Sequence, residues 1–186
     1  NLYTYIALRA DRFGLNGQDK KFVLNYMERE VVEEVSSIKN DVARVCFQHF
    51  NAEPLTCWFN SDVYSSGSGL AASSSYLNSF ISALAFLQRI KMSQMEICQL
   101  SHKLEKIFNP LTGYQDPYGC GIPGFKKLNF YYRKNPTAEI LSTDVLKGLS
   151  LYLIHTGIAR KSATSQTSIC RANQRRTRIN IPLRSK

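Results

Sequence analysis

The run Gly67-Ser68-Gly69-Leu70-Ala71-Ala72-Ser73-Ser74-Ser75 is dominated by small residues and precedes an amphipathic stretch. Small side chains let backbone amides come close to an anion, and a following helix aims its free N–H groups and positive dipole end at it. The serine hydroxyls add donors and a possible magnesium ligand. The run is not a Walker A loop, because no Lys-Ser or Lys-Thr pair closes it. Two carboxylates follow, Glu105 and, 11 residues on, Asp116. One carboxylate to hold magnesium and another to orient or deprotonate a hydroxyl is what phosphoryl transfer requires. Taken singly, a Ser/Gly run is a flexible turn, a helix-end Glu is solvated and an Asp before Pro is a turn residue. The joint pattern carries the argument.

Other elements must position these groups. Leu2–Ala10 alternates as a strand, with Tyr3, Tyr5 and Ala7 on one face and Thr4, Ile6 and Leu8 on the other. Gly14–Gly17 marks a turn, and Lys21–Met27 and Thr56–Ser61 read as strands. Ile38–Phe50 is helical by spacing, with Ile38, Val42, Val45, Cys46 and His49 on one stripe. Ser73–Ile90 is a second helix, and Ser93-Gln94-Met95-Glu96 is a capping box that opens a third, ended by Asn109-Pro110. Gly113–Gly124 reads as a loop, with Lys127–Arg133 and Leu149–Thr156 as later strands.

Composition limits the alternatives. A 44% hydrophobic content with 10 Phe and 10 Tyr argues for a folded core. No apolar run approaches the roughly 20 residues of a membrane span. The start, Asn1-Leu2-Tyr3-Thr4, lacks an initiator Met and a signal-type n-region and reads as a strand entered part-way. The net charge of +10 is uneven: residues 1–144 hold 15 Lys/Arg against 14 Asp/Glu, whereas residues 145–186 hold 9 Lys/Arg and no acid. The basicity belongs to the tail and not to a folded face, which argues against a nucleic-acid-binding domain. The five cysteines show no C-x-x-C pair and no zinc-ligand spacing with the three histidines, so reduced, mostly buried thiols in a cytoplasmic protein are expected.

The phosphate run resembles the second motif of the GHMP kinases, P-x-x-x-G-L-G-S-S. Within that family, Gly113–Phe125 is similar to the G-x-Q-D-x-Y…G-G-F segment of D-glycero-D-manno-heptose 7-phosphate kinases. Tyr26…Glu28 resembles their Y-S-x-x-E strand, Ile38…Arg44 their I-x-x-x-x-x-R helix, and Thr156-Gly157-Ile158-Ala159-Arg160 their T-G-x-x-R. The resemblance runs in order from Leu2 to Lys161. It implies that Asp116 is the catalytic aspartate and that Ser73 and Glu105 hold magnesium. Gly67, Gly69, Ala72 and Ser74 would line the triphosphate of ATP, with Ser68, Leu70 and Ala71 completing the nucleotide-binding run. Ala71 and Ala72 depart from the G-L-G-S pattern, and Pro123 replaces a glycine of G-G-F, as in the related L-fucokinases.

The implied fold is α+β, a mixed sheet packed by helices. Residues 1–145 would form the ATP-binding N-terminal domain, 146–161 the start of a truncated C-terminal domain, and 162–186 a non-native or disordered basic tail. The family's first motif would precede Asn1 and its third would follow Lys161, so the chain alone is expected to be impaired. The implied reaction moves the γ-phosphate of ATP to the anomeric hydroxyl of a sugar, heptose 7-phosphate above all. An L-fucokinase-like activity is one alternative. A non-enzymatic scaffold whose basic tail docks on nucleic acid is the alternative from another class.

Overall fold

The computed structural model describes residues 2–10, 20–62, 69–132, 134–150 and 152–154. The Gly14–Gly17 turn, Gly67, Ser68 and the tail at 162–186 lie outside the described residues. Four strands form one sheet in the order β1-β4-β2-β3: β1 Thr4–Arg9, β2 Phe22–Asn25, β3 Arg29–Val32 and β4 Thr56–Ser61. The β1/β4 and β2/β3 pairs are antiparallel and β2/β4 is parallel, so the sheet is mixed, as the α+β expectation requires. The helices are α1 Asp41–Phe50, α2 Ala72–Leu87, α3 Gln94–Phe108 and α4 Gln115–Gly121, and a hairpin follows, β5 Lys126–Asn129 with β6 Thr137–Ile140.

The period-two pattern of β1 sends Ile6 and Leu8 to the core and leaves Tyr3 and Tyr5 exposed. The core joins sheet to helices through edge-on and tilted rings: Phe22 to Phe47 at 5.0 Å, Phe47 to Phe80 at 5.2 Å and Phe59 to Phe80 at 5.5 Å. On α1 the buried stripe holds Val45, Cys46 and Phe47, and His49 is exposed instead of joining it. The α3 capping box forms as read: Glu96 N–H donates to Ser93 Oγ at 3.3 Å, and Ser93 N–H donates to the Glu96 carboxylate at 2.7 Å. No helix among the described residues is long and apolar enough to cross a membrane.

Four expectations need correction. Gly113–Gly124 is not all loop, because Gln115–Gly121 forms α4. Its proline falls in the first turn, where a missing N–H has no helical partner to lose. The strand read at Lys127–Arg133 is shorter and earlier, at Lys126–Asn129. None of the described residues between Leu149 and Thr156 is in a strand. Finally, β3 and β6 are additional four-residue strands, too short to show a period.

The side chain of Tyr26 pairs with Glu30. Tyr26 Oη donates to Glu30 Oε1 at 2.5 Å, and the amides of Lys39 and Asn40 donate to the same carboxylate at 2.7 and 3.1 Å. Glu30 is buried and so ties β3 to the start of α1. Arg44 Nη1 donates to the Ile38 carbonyl at 2.7 Å, so the Ile38…Arg44 spacing closes a real contact. Removing the Glu30 carboxylate orphans three donors, so Glu30→Ala should lose about 3 kcal/mol in denaturant melts, while Glu28→Ala, at an exposed site, should change stability by less than about 0.5 kcal/mol.

Candidate functional site

The chain enters α2 through two left-handed residues. Gly69 has φ 73, which glycine takes without strain, and Ala71 has φ 55, ψ 32, where its Cβ costs roughly 1 kcal/mol. The glycine of the G-L-G pattern is thus replaced at a position whose backbone favours glycine. Ala71 is the N-cap residue and no side chain caps the helix. The first-turn amides of α2, from Ala72, Ser73 and Ser74, therefore face the loop with the positive end of the helix dipole.

Glu105 meets that turn from α3. Only 4% of its surface is exposed, so it is not the surface carboxylate that its place near a helix end suggested. Ser74 Oγ, also buried, donates to Glu105 Oε2 at 2.5 Å. Ser73 Oγ lies close enough to lower the Glu105 pKa, yet it is a buried hydroxyl with no hydrogen bond of normal geometry. Burial dominates and pushes the Glu105 carboxyl above its usual range; the Ser74, Ser73 and Thr112 hydroxyls pull it back and the Asp116 charge adds to the rise. The structure thus clusters Ser73, Ser74 and Glu105, with the charge of Asp116 felt at Glu105.

Asp116 sits in the first turn of α4 and is exposed. The residues before it are clipped to α3: Tyr114 stacks on His102 at 4.0 Å with 28° between ring planes, and Thr112 reaches Glu105. His102 is therefore a packing residue, and burial lowers its pKa. The charge of Asp116 is also felt by Cys120, one turn on, whose Sγ lies 3.9 Å from the Ala71 carbonyl. Cys46, Cys57 and Cys98 are free and buried, while Cys120 is free and exposed.

An ion with the needs of magnesium fits these groups. A buried carboxylate and an orphaned buried hydroxyl both gain from a cation, and magnesium ordinarily takes one or two protein ligands and completes its shell with phosphates and water. No group of three or more His, Cys, Asp or Glu residues able to hold a metal occurs among the described residues, so a dedicated all-protein cage is absent there. Beside the loop opens a cavity of about 590 Å³, lined among others by Thr4, Leu70, Ser75, Asn78, Cys120 and Lys126. Ser73, Glu105 and Asp116 are not in its lining; it flanks them on the α2 side. Sequence reasoning missed Ser74 as the partner of Glu105, and its place one residue beyond the proposed ligand gave no signal of which serine turns inward.

Comparison with known proteins bears on the same segment. Residues 31–124 match the family described as the GHMP kinases N terminal domain. A protein from Campylobacter jejuni assigned as a sugar kinase has a similar solved structure, with a TM-score of 0.57 and 21% identity over 76% of this chain and 45% of that one. A D-glycero-D-manno-heptose 1-phosphate kinase from Bacteriodes thetaiotaomicron gives a TM-score of 0.61 and 15% identity over 76% of this chain and 49% of that one. At these identities the two structures share the fold, and the chain spans about half the length of each. No curated protein matches the chain. The matched region contains the loop, Glu105 and Asp116, and the chain belongs to the GHMP kinase family through its N-terminal domain.

Proposed function

We propose that this chain carries the magnesium–ATP half of a sugar kinase that phosphorylates the anomeric hydroxyl of D-glycero-D-manno-heptose 7-phosphate. The observation that supports it most is the buried Ser73–Ser74–Glu105 cluster facing the uncapped start of α2, with Asp116 beside it. In this reading Gly69, Leu70, Ala71, Ala72 and Ser74 offer backbone N–H donors to the triphosphate, with Gly67 and Ser68 completing the loop outside the described residues. Magnesium held by Ser73 and Glu105 would neutralise phosphate charge. Asp116 orients or deprotonates the attacking hydroxyl, its exposure leaving it accessible to a substrate. Heptose as the acceptor rests on the Gly113–Phe125 resemblance and is in keeping with the heptose kinase that shares the fold. Pro123, which lines the cavity, favours an L-fucokinase-like acceptor as the second reading.

Isothermal calorimetry tests the metal site. Ser73→Ala and Glu105→Gln should each weaken magnesium–ATP binding about tenfold, or about 1.4 kcal/mol, and should bind like the parent when magnesium is chelated. Equal magnesium-dependent affinity in all three proteins rules out these two residues as ligands.

The same carboxylate should cost stability. Since its folded pKa is raised above its ordinary 4.5, Glu105 contributes stability below pH 4.5 that is lost as pH rises through the raised value. Glu105→Gln, which keeps an acceptor for Ser74, should therefore melt higher than the parent at pH 7.5, by roughly 3 °C, and match it near pH 4. Thermal melts across that range check it; a variant less stable than the parent at pH 7.5 contradicts the assignment.

A further inference from the structure

Asn78 lies outside the phosphate run, one helical turn beyond Ser74 on the same face of α2. Ser74 serves Glu105, and Asn78 serves α4: its Nδ2 donates to the Pro117 carbonyl at 2.9 Å. That carbonyl belongs to the Pro117–Tyr118 peptide, one peptide beyond the bond that follows Asp116. Asn78 is 7% exposed, and its Oδ1 is buried without a partner. A carbonyl only accepts, so the amide group must face it with nitrogen, and the orphaned Oδ1 is what this orientation costs.

The other end of α4 is held by the absence of a side chain. A Cβ on Gly121 would lie 2.3 Å from Cys98 Sγ and 2.9 Å from Asn78 Nδ2, so α4 reaches this depth only with glycine there. Tyr118, between the two contacts, is fully buried. Two independent contacts thus meet at Asn78, a hydrogen bond at the start of α4 and a close approach at its end.

Resting on the role proposed for Asp116, we infer that Asn78 is the positioning residue that holds this carboxylate at the Ser73–Glu105 site, with Gly121 as its steric complement. The hydrogen bond sets the height of the Pro117–Tyr118 peptide, next in chain to Asp116, over α2, and the glycine contact keeps α4 from tilting about that point. Asn78 acts through α4 and touches none of the reacting groups in this assignment.

The test uses the whole chain without nucleotide, so its outcome is independent of whether magnesium–ATP binds. Asn78→Leu keeps the volume and removes the donor, Gly121→Ala inserts a wedge, and Glu30→Ala serves as a destabilised control far from α4. Amide exchange by NMR should quicken at least tenfold at Tyr118, Cys120 and Ile122 in the first two variants, relative to Cys46 and Phe47 of α1. The carboxyl resonance of Asp116 should move in both and stay in place in Glu30→Ala. If Asn78→Leu gives uniform acceleration across α1 and α4, or leaves the Asp116 resonance where Glu30→Ala has it, Asn78 is a core residue only and the inference fails.

Discussion

The site depends on one buried carboxylate meeting the first turn of a helix. Glu105 is withdrawn from water among side chains that can satisfy only part of its charge: Ser74 donates, Ser73 stands close without bonding, and Asp116 repels. Buried charge is costly unless a partner of opposite sign is present, so this arrangement is poised for a cation. The uncapped amides of α2 are the complementary half, since they favour an anion. A magnesium–phosphate pair satisfies both halves at once.

The rest of the fold follows as the support for that meeting. The aromatic core through Phe47 and Phe80 sets α2 on the sheet, and the capping box starts α3 at the residue that brings Glu105 to Ser74. The strain at Ala71 and the close approach at Gly121 are tolerated next to the site, where the backbone must turn sharply or pack without a side chain. Cys120 against the Ala71 carbonyl shows how near α4 comes to the loop.

Much of this was legible in the sequence because it rests on local rules. Helices α1 to α3 announced themselves through apolar spacing, α3 also through its capping box, and the small-residue run announced a close backbone approach. The helix α4 was hidden because the four glycines and two prolines of the Gly113–Gly124 segment read as a loop, whereas in the fold Tyr118 is buried within a helix. Glu105 read as solvated because its depth depends on α2 and on Thr112, which are distant in sequence or irregular. The link from Tyr26 to Glu30 was not legible because it depends on the turn between β2 and β3 and on a carboxylate shared with the amides of Lys39 and Asn40.

The most direct measurement of the central claim is the location of the metal. Crystals of the chain grown with manganese and a non-hydrolysable ATP analogue would give an anomalous peak marking the ion. A peak within coordination distance of Ser73 Oγ and the Glu105 carboxylate, with the phosphates over the first turn of α2, is the predicted result. A nucleotide bound elsewhere, or bound at the loop with the ion away from both side chains, would contradict the account.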